Sequence, residues 1–330
     1  MTTWRGLVMV GCFLSGCAAG GPAGPEQAQS PRAIPAALAT PVQPPDLTLP
    51  TADGAAVPAM AVGIQAPTAV ILALHGFGDY GASTFGMAAE AWAEAGIATY
   101  APDQRGFGRG ATRGRWPGAD ALIADARAYA RAVRARHPDL PLILLGHSMG
   151  GGVALAAAAE GADVDALILA APAIWGGTAL NPLQRWAAWI AAATVPDKRF
   201  TGEGVVEIRA SDNDAALTAI GRDPFYLTSP SARELMGLVR VVDAAATAAP
   251  KVAQPTLLLL GARDEILPND RVRVVHARQP GPREVKLYAE GWHLLFRDLQ
   301  APRVWADVAA WVGGFSDTGR DVAAQAAAFP

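Results

Sequence analysis

From about Leu47 onward, short continuous apolar runs alternate with longer amphipathic stretches. The runs at 69–74, 97–100, 142–145, 166–170 and 256–260 are flanked by Gly, Pro or Asp and do not alternate with polar residues, which predicts strands buried on both faces. Helical patterning occupies 83–95, 119–136 and 149–160. Strand and helix in turn predict an α/β fold with a mostly parallel central sheet and helices on both faces. A last helix is expected at 302–312, where Val304, Trp305, Val308, Trp311 and Val312 share one side and Pro302 suits the first turn.

The alternation stops between Pro172 and Pro255, so a helical cap inserted at about 173–254 is expected before the sheet resumes. Within it Asn181 suits an N-cap with Pro182 behind it, and Leu183, Trp186, Trp189 and Ile190 form one apolar stripe. Most of that stripe should pack on the main domain. Trp186 and Trp189 are the expected aromatic lining of a pocket mouth that accepts acyl chains. The domain as a whole spans 47–315, with a tail at 316–330.

Ahead of the domain, a short apolar run at 7–14 follows Arg5. It falls well short of the roughly 20 residues of a membrane-spanning helix and has the length of a signal-peptide core. Residues 18–46 are rich in Pro, Ala, Gly and Gln, with almost no large apolar side chain, and are expected to act as a tether. The chain has two cysteines, Cys12 and Cys17, both ahead of this tether, so no disulfide is expected in the domain.

Composition narrows the classes further. With 330 residues, 51% of them hydrophobic, a sizeable core can form. A net charge of −3 offers no basic field, and Arg127, Arg131 and Arg134 fall at the spacing of a solvated helix face, so nucleic acid is not an expected partner.

The candidate chemistry begins at Gly146-His147-Ser148-Met149-Gly150, which directly follows one predicted strand and opens one predicted helix. A serine in so tight a strand-to-helix turn needs near-absent side chains two residues before and after it, and Gly146 and Gly150 supply them. A serine hydroxyl also needs a base to take its proton. Of five histidines, His147 lies inside the turn, His137 ends a helix and His276 sits among arginines, each explained by surface or local packing. His293 stands between an apolar stretch at 285–288 and the last helix and is the expected base. The orienting acid is expected after the strand at 256–260; Asp264 is the choice, with Glu265 the neighbouring alternative. Met149 and Phe77, the latter in the loop after the strand at 69–74, are the expected backbone donors of an oxyanion hole. His75 and Gly76 would shape that loop.

These motifs, with Asp103-Gln104-Arg105-Gly106-Phe107-Gly108 and Gly291-Trp292-His293, resemble the monoglyceride lipase and lysophospholipase branch of the α/β-hydrolases, also called serine aminopeptidase-like. The resemblance implies a serine carboxylic-ester hydrolase acting through an acyl-enzyme on single-chain acyl esters. Asp103 and Arg105 are expected to brace their loop, and Arg109 stands where many members carry serine. Peptidase or amidase activity on the same fold, and a non-catalytic surface lipoprotein, are the alternatives. No cofactor and no metal are expected. Leu14-Ser15-Gly16-Cys17 resembles the lipobox of bacterial lipoproteins, which implies removal of residues 1–16, acylation of Cys17 and attachment to a lipid bilayer, the outer membrane in a cell with two, since Ala18 follows where aspartate would favour inner-membrane retention.

Overall fold

The computed structural model describes residues 46–176, 193–199 and 208–327, with side chains of the last helix described as far as residue 315. The expected signal peptide, Cys17, nearly all of the tether, the Asn181 helix and Trp186 and Trp189 lie outside the described residues.

Among the described residues one sheet runs β1 (Leu47–Pro50), β2 (Ala56–Val62), β4 (Ile97–Pro102), β3 (Ala69–Leu74), β5 (Leu142–His147), β6 (Ala166–Ala170), β7 (Thr256–Gly261) and β8 (Arg283–Tyr288). Strands β3 to β8 are parallel to one another, whereas β2 pairs antiparallel with both β1 and β4. Every residue of β3, β4, β5, β6 and β7 is buried, as unbroken apolar runs require when helices cover both faces. Edge strand β8 carries exposed Arg283 and Glu284, polar cover for its unpaired side.

Strands β4, β5 and β7 run past their apolar runs for one reason: ladder pairing continues where hydrophobicity ends. Strand β5 extends through Gly146 and His147, which pair with Leu169 and Ala170, and so delivers the chain directly into the turn at Ser148. The β1–β2 hairpin was not separable in the sequence, because its prolines and short length blur the period. Its turn is closed by the Thr51 N–H on Ala55 O at 2.8 Å and by Gly54 at φ 84°.

Among the described residues the α-helices are α1 (Gly81–Glu94), α2 (Ala119–Arg136), α3 (Met149–Ala159), α4 (Asp214–Arg222), α5 (Ala232–Ala248), α6 (Asn269–His276) and α7 (Ala301–Ala327). Helix α1 packs with α7, and α3 lies between α2 and α5. The last helix runs beyond its expected end at 312, and its Val304, Val308 and Val312 are fully buried. In the stretch between β6 and β7, α5 starts with a capping box: the Glu234 N–H donates to Ser231 Oγ at 3.2 Å and the Ser231 N–H to Glu234 Oε2 at 2.6 Å. Its buried face, with Leu238, Val241 and Val242, seats it on α3.

Candidate active site

Ser148 follows β5, Asp264 follows β7, His293 follows β8 and the loop His75 to Tyr80 follows β3. All four therefore meet at the C-terminal ends of parallel strands, where an open α/β sheet leaves its crevice.

Ser148 has φ 52° and ψ −117°, a left-handed conformation that costs a side-chain-bearing residue roughly 1–3 kcal/mol. The surroundings hold it there. The Ser148 N–H donates to Ala170 O at 3.0 Å, and Ser148 O accepts from the N–H groups of Gly151 and Ala173, both at 2.9 Å. A Cβ on Gly146 would overlap Gly150 O, and one on Gly150 would overlap Leu74 O, so the turn closes only with hydrogen at both positions.

His293 Nε2 stands 3.0 Å from Ser148 Oγ, and His293 Nδ1 stands 2.9 Å from Asp264 Oδ2. Asp264 Oδ1 accepts from the N–H groups of Ile266 at 2.8 Å and Leu267 at 3.0 Å. With both carboxylate oxygens accepting, the proton of the pair belongs on Nδ1, which leaves Nε2 free to take one from serine. Glu265 is turned away and accepts the Arg209 N–H at 2.7 Å.

Two further imidazoles border the site and are uncharged. Burial pushes His147 down to about 3 and His75 down to about 4. His147 donates from Nε2 to His293 O at 2.9 Å, fixing the main chain of the neighbouring histidine. His75 donates from Nδ1 to Gly76 O at 2.8 Å and accepts the Gln104 N–H on Nε2 at 2.9 Å, so it shapes the loop that carries Phe77. His137 caps α2 and lies 2.9 Å from the Tyr100 hydroxyl, and His276 is buried on α6; both are remote from Ser148 in the fold.

The Phe77 ring packs edge-on to Phe107, at 5.3 Å between centroids, and beside Trp116 at 6.3 Å. Among the described residues neither the Phe77 nor the Met149 N–H donates to a backbone carbonyl. Asp103 and Arg105 act as braces. Asp103 holds Arg109 through Nε at 2.8 Å and through the backbone N–H at 2.9 Å, so the arginine that departs from the family pattern is absorbed as a buried ion pair. Arg105 forks onto Asp125 and Asp53.

A small cleft opens over Ser148 and His293 and is lined by Phe77, Tyr226, Leu238, Ile266 and Leu294, with Asp79 at its polar side. Asp79 is paired with Arg297, which burial lowers to about 10 and which stays cationic at neutral pH. Tyr226 and Leu238 come from the insertion and carry no motif that marks them in the sequence. Ile266 and Leu294 adjoin Asp264 and His293 and could have been read from that adjacency. Among the described residues no group of three His, Cys, Asp or Glu side chains is placed to hold a metal.

Solved structures share this architecture. A monoacylglycerol lipase from Paleococcus ferrophilus superposes with TM-score 0.66 at 19% identity, covering 78% of this chain and 98% of that one. A soluble variant of monoglyceride lipase from Saccharomyces cerevisiae gives 0.67 at 21%, covering 82% and 96%. The fold and the site together define a serine ester hydrolase of the α/β-hydrolase type. Residues 65–300 match the family described as serine aminopeptidase, S33, and the chain belongs to that family. A monoacylglycerol lipase of Mycolicibacterium smegmatis is 28% identical over 256 residues, 74% of this chain and 88% of that protein. The monoglyceride lipase of Rattus norvegicus is 24% identical over 247 residues, covering 71% and 78%.

Proposed function

We propose that this enzyme hydrolyses single-chain acyl esters, monoacylglycerols first and lysophospholipids with them, through an acyl-enzyme on Ser148. The observation that carries the proposal is the unbroken line from Ser148 Oγ through the His293 ring to Asp264 at 3.0 and 2.9 Å, facing an apolar cleft. Ser148 Oγ attacks the ester carbonyl while His293 Nε2 takes its proton, and Asp264 stabilises the imidazolium. The carbonyl oxygen, now anionic, receives the N–H groups of Phe77 and Met149. Collapse of the tetrahedral adduct breaks the bond to the alcohol, which leaves with the proton from His293. Water then repeats the sequence on the acyl-enzyme and frees the acid. The names of the relatives support the substrate class, and the apolar lining supports an acyl chain.

Peptide substrates with a free amine are less well served. An ammonium group needs an unengaged carboxylate, whereas Asp79 is held by Arg297 and Asp264 by His293.

The proposal also puts the enzyme on a bilayer through acyl chains on Cys17. Each buried CH₂ contributes about 0.8 kcal/mol, so two or more long chains hold the protein durably. Among the described residues no helix is long and apolar enough to cross a membrane. One fractionation and assay tests both parts. The full chain is expected in the membrane fraction, releasing fatty acid from 1-monoacylglycerols of graded chain length, and a Cys17→Ala variant in the soluble fraction with the same activity. Failure on every monoacylglycerol overturns the substrate class, and membrane retention of the variant overturns the anchor.

A further inference from the structure

Asp298 is 1% exposed and forms no ion pair among the described residues, because the adjacent Arg297 turns its guanidinium to Asp79 and Ser83. A carboxylate buried without a cation stays ionised only through hydrogen bonds. It has two short ones. Oδ2 accepts the Trp292 N–H at 2.7 Å, and Oδ1 accepts the Ser211 hydroxyl at 2.6 Å. Ser211 Oγ itself accepts the Asn213 N–H at 3.1 Å, so its own proton is committed to Asp298.

These bonds join two parts of the site. Trp292 directly precedes His293, and Ser211 lies on 208–213, the segment of the insertion that leads into α4. The same segment is sewn along the base loop. The Leu294 N–H donates to Ala210 O at 3.0 Å, Asn213 Nδ2 to Arg297 O at 2.8 Å and the Leu299 N–H to Asp212 Oδ1 at 2.9 Å. Arg209, bonded to Glu265, lays its guanidinium over the Trp292 ring at 5.6 Å.

We propose that Asp298 is the positioning residue of the base: it clasps the main chain of His293 to the insertion through Trp292 and Ser211, and its negative charge supports the imidazolium formed during attack. This rests on the Ser148–His293–Asp264 reading above. Burial raises Asp298 to about 7. Above neutral pH the fold therefore holds this charge at the expense of its own stability, and near pH 7 the protonated form is populated as well. The charged or titratable groups facing it are His293 and Arg297 on its own loop and Asp212 on the segment opposite.

Asp298→Asn preserves the shape, with a carbonyl for the Trp292 N–H and an amide donor for Ser211 Oγ. Assayed on p-nitrophenyl butyrate, with sites counted by fluorophosphonate uptake, it should show kcat roughly tenfold lower and KM within about twofold. Its Tm at pH 8 should be unchanged or higher, because a buried charge has gone. The ratio of native to variant kcat should grow as pH rises through 7, because Asp298 of the native enzyme is ionised only on the alkaline side. Ser211→Ala should lower kcat in the same direction by a smaller factor. If kcat per counted site matches the native enzyme in both variants on both sides of pH 7, the clasp is overturned and the hydrolase reading stands. If the native chain takes up no fluorophosphonate, both fall.

Discussion

Asp264 accepts three hydrogen bonds, two from the backbone of Ile266 and Leu267 and one from His293 Nδ1, and its side chain is fully buried. Replacing it with asparagine keeps the backbone bonds but offers an amide where Nδ1–H needs an anion, which favours the tautomer that cannot accept the proton of Ser148. Asp264→Asn should reduce kcat by on the order of 10³–10⁴ with KM little changed, measured on p-nitrophenyl butyrate. A loss under tenfold would contradict the role assigned to it. The residues brought together here were legible because each follows a strand and the chain order serine, acid, histidine matches one fold. Asp264 was the choice from sequence over its neighbour Glu265, and the fold shows Glu265 meeting the Arg209 N–H instead. Asp298 was silent in the sequence, because its partner Ser211 is 87 residues away.

At the scale of elements, the interior strands were legible because full burial leaves a continuous apolar run. The edges were not. Strand β8 is polar where it faces water, and β1 and β2 are short and proline-marked. Helix α5 could have been found from its Ser231-x-x-Glu234 box, and Trp116 explains why Gly237 lies within it: a Cβ there would overlap the indole. That contact links the insertion to Phe77 through the cluster of Phe77, Phe107 and Trp116, as Ser211 links it to His293. The described parts of the insertion thus touch both the oxyanion side and the base side of Ser148.

For the whole molecule, the buried imidazoles make stability depend on pH. His75 and His147 titrate near 6.5 when unfolded but near 4 and 3 in the fold, so below pH 6.5 the unfolded chain takes up protons that the fold refuses. Their contribution is complete above that pH and shrinks by on the order of 3 kcal/mol each by pH 4. Asp298, raised to about 7, binds its proton in the fold first and offsets part of this loss. Tm should therefore fall between pH 7 and pH 4 in thermal melts; a Tm that rises would contradict neutral, buried histidines. The central claim, that one activated serine carries the chemistry, is tested most directly by intact-mass and peptide analysis of the full chain after treatment with a fluorophosphonate. The account predicts a single adduct on the peptide carrying Ser148, with none in Ser148→Ala, which should also lack ester turnover. An adduct elsewhere, or turnover surviving in Ser148→Ala, would contradict it.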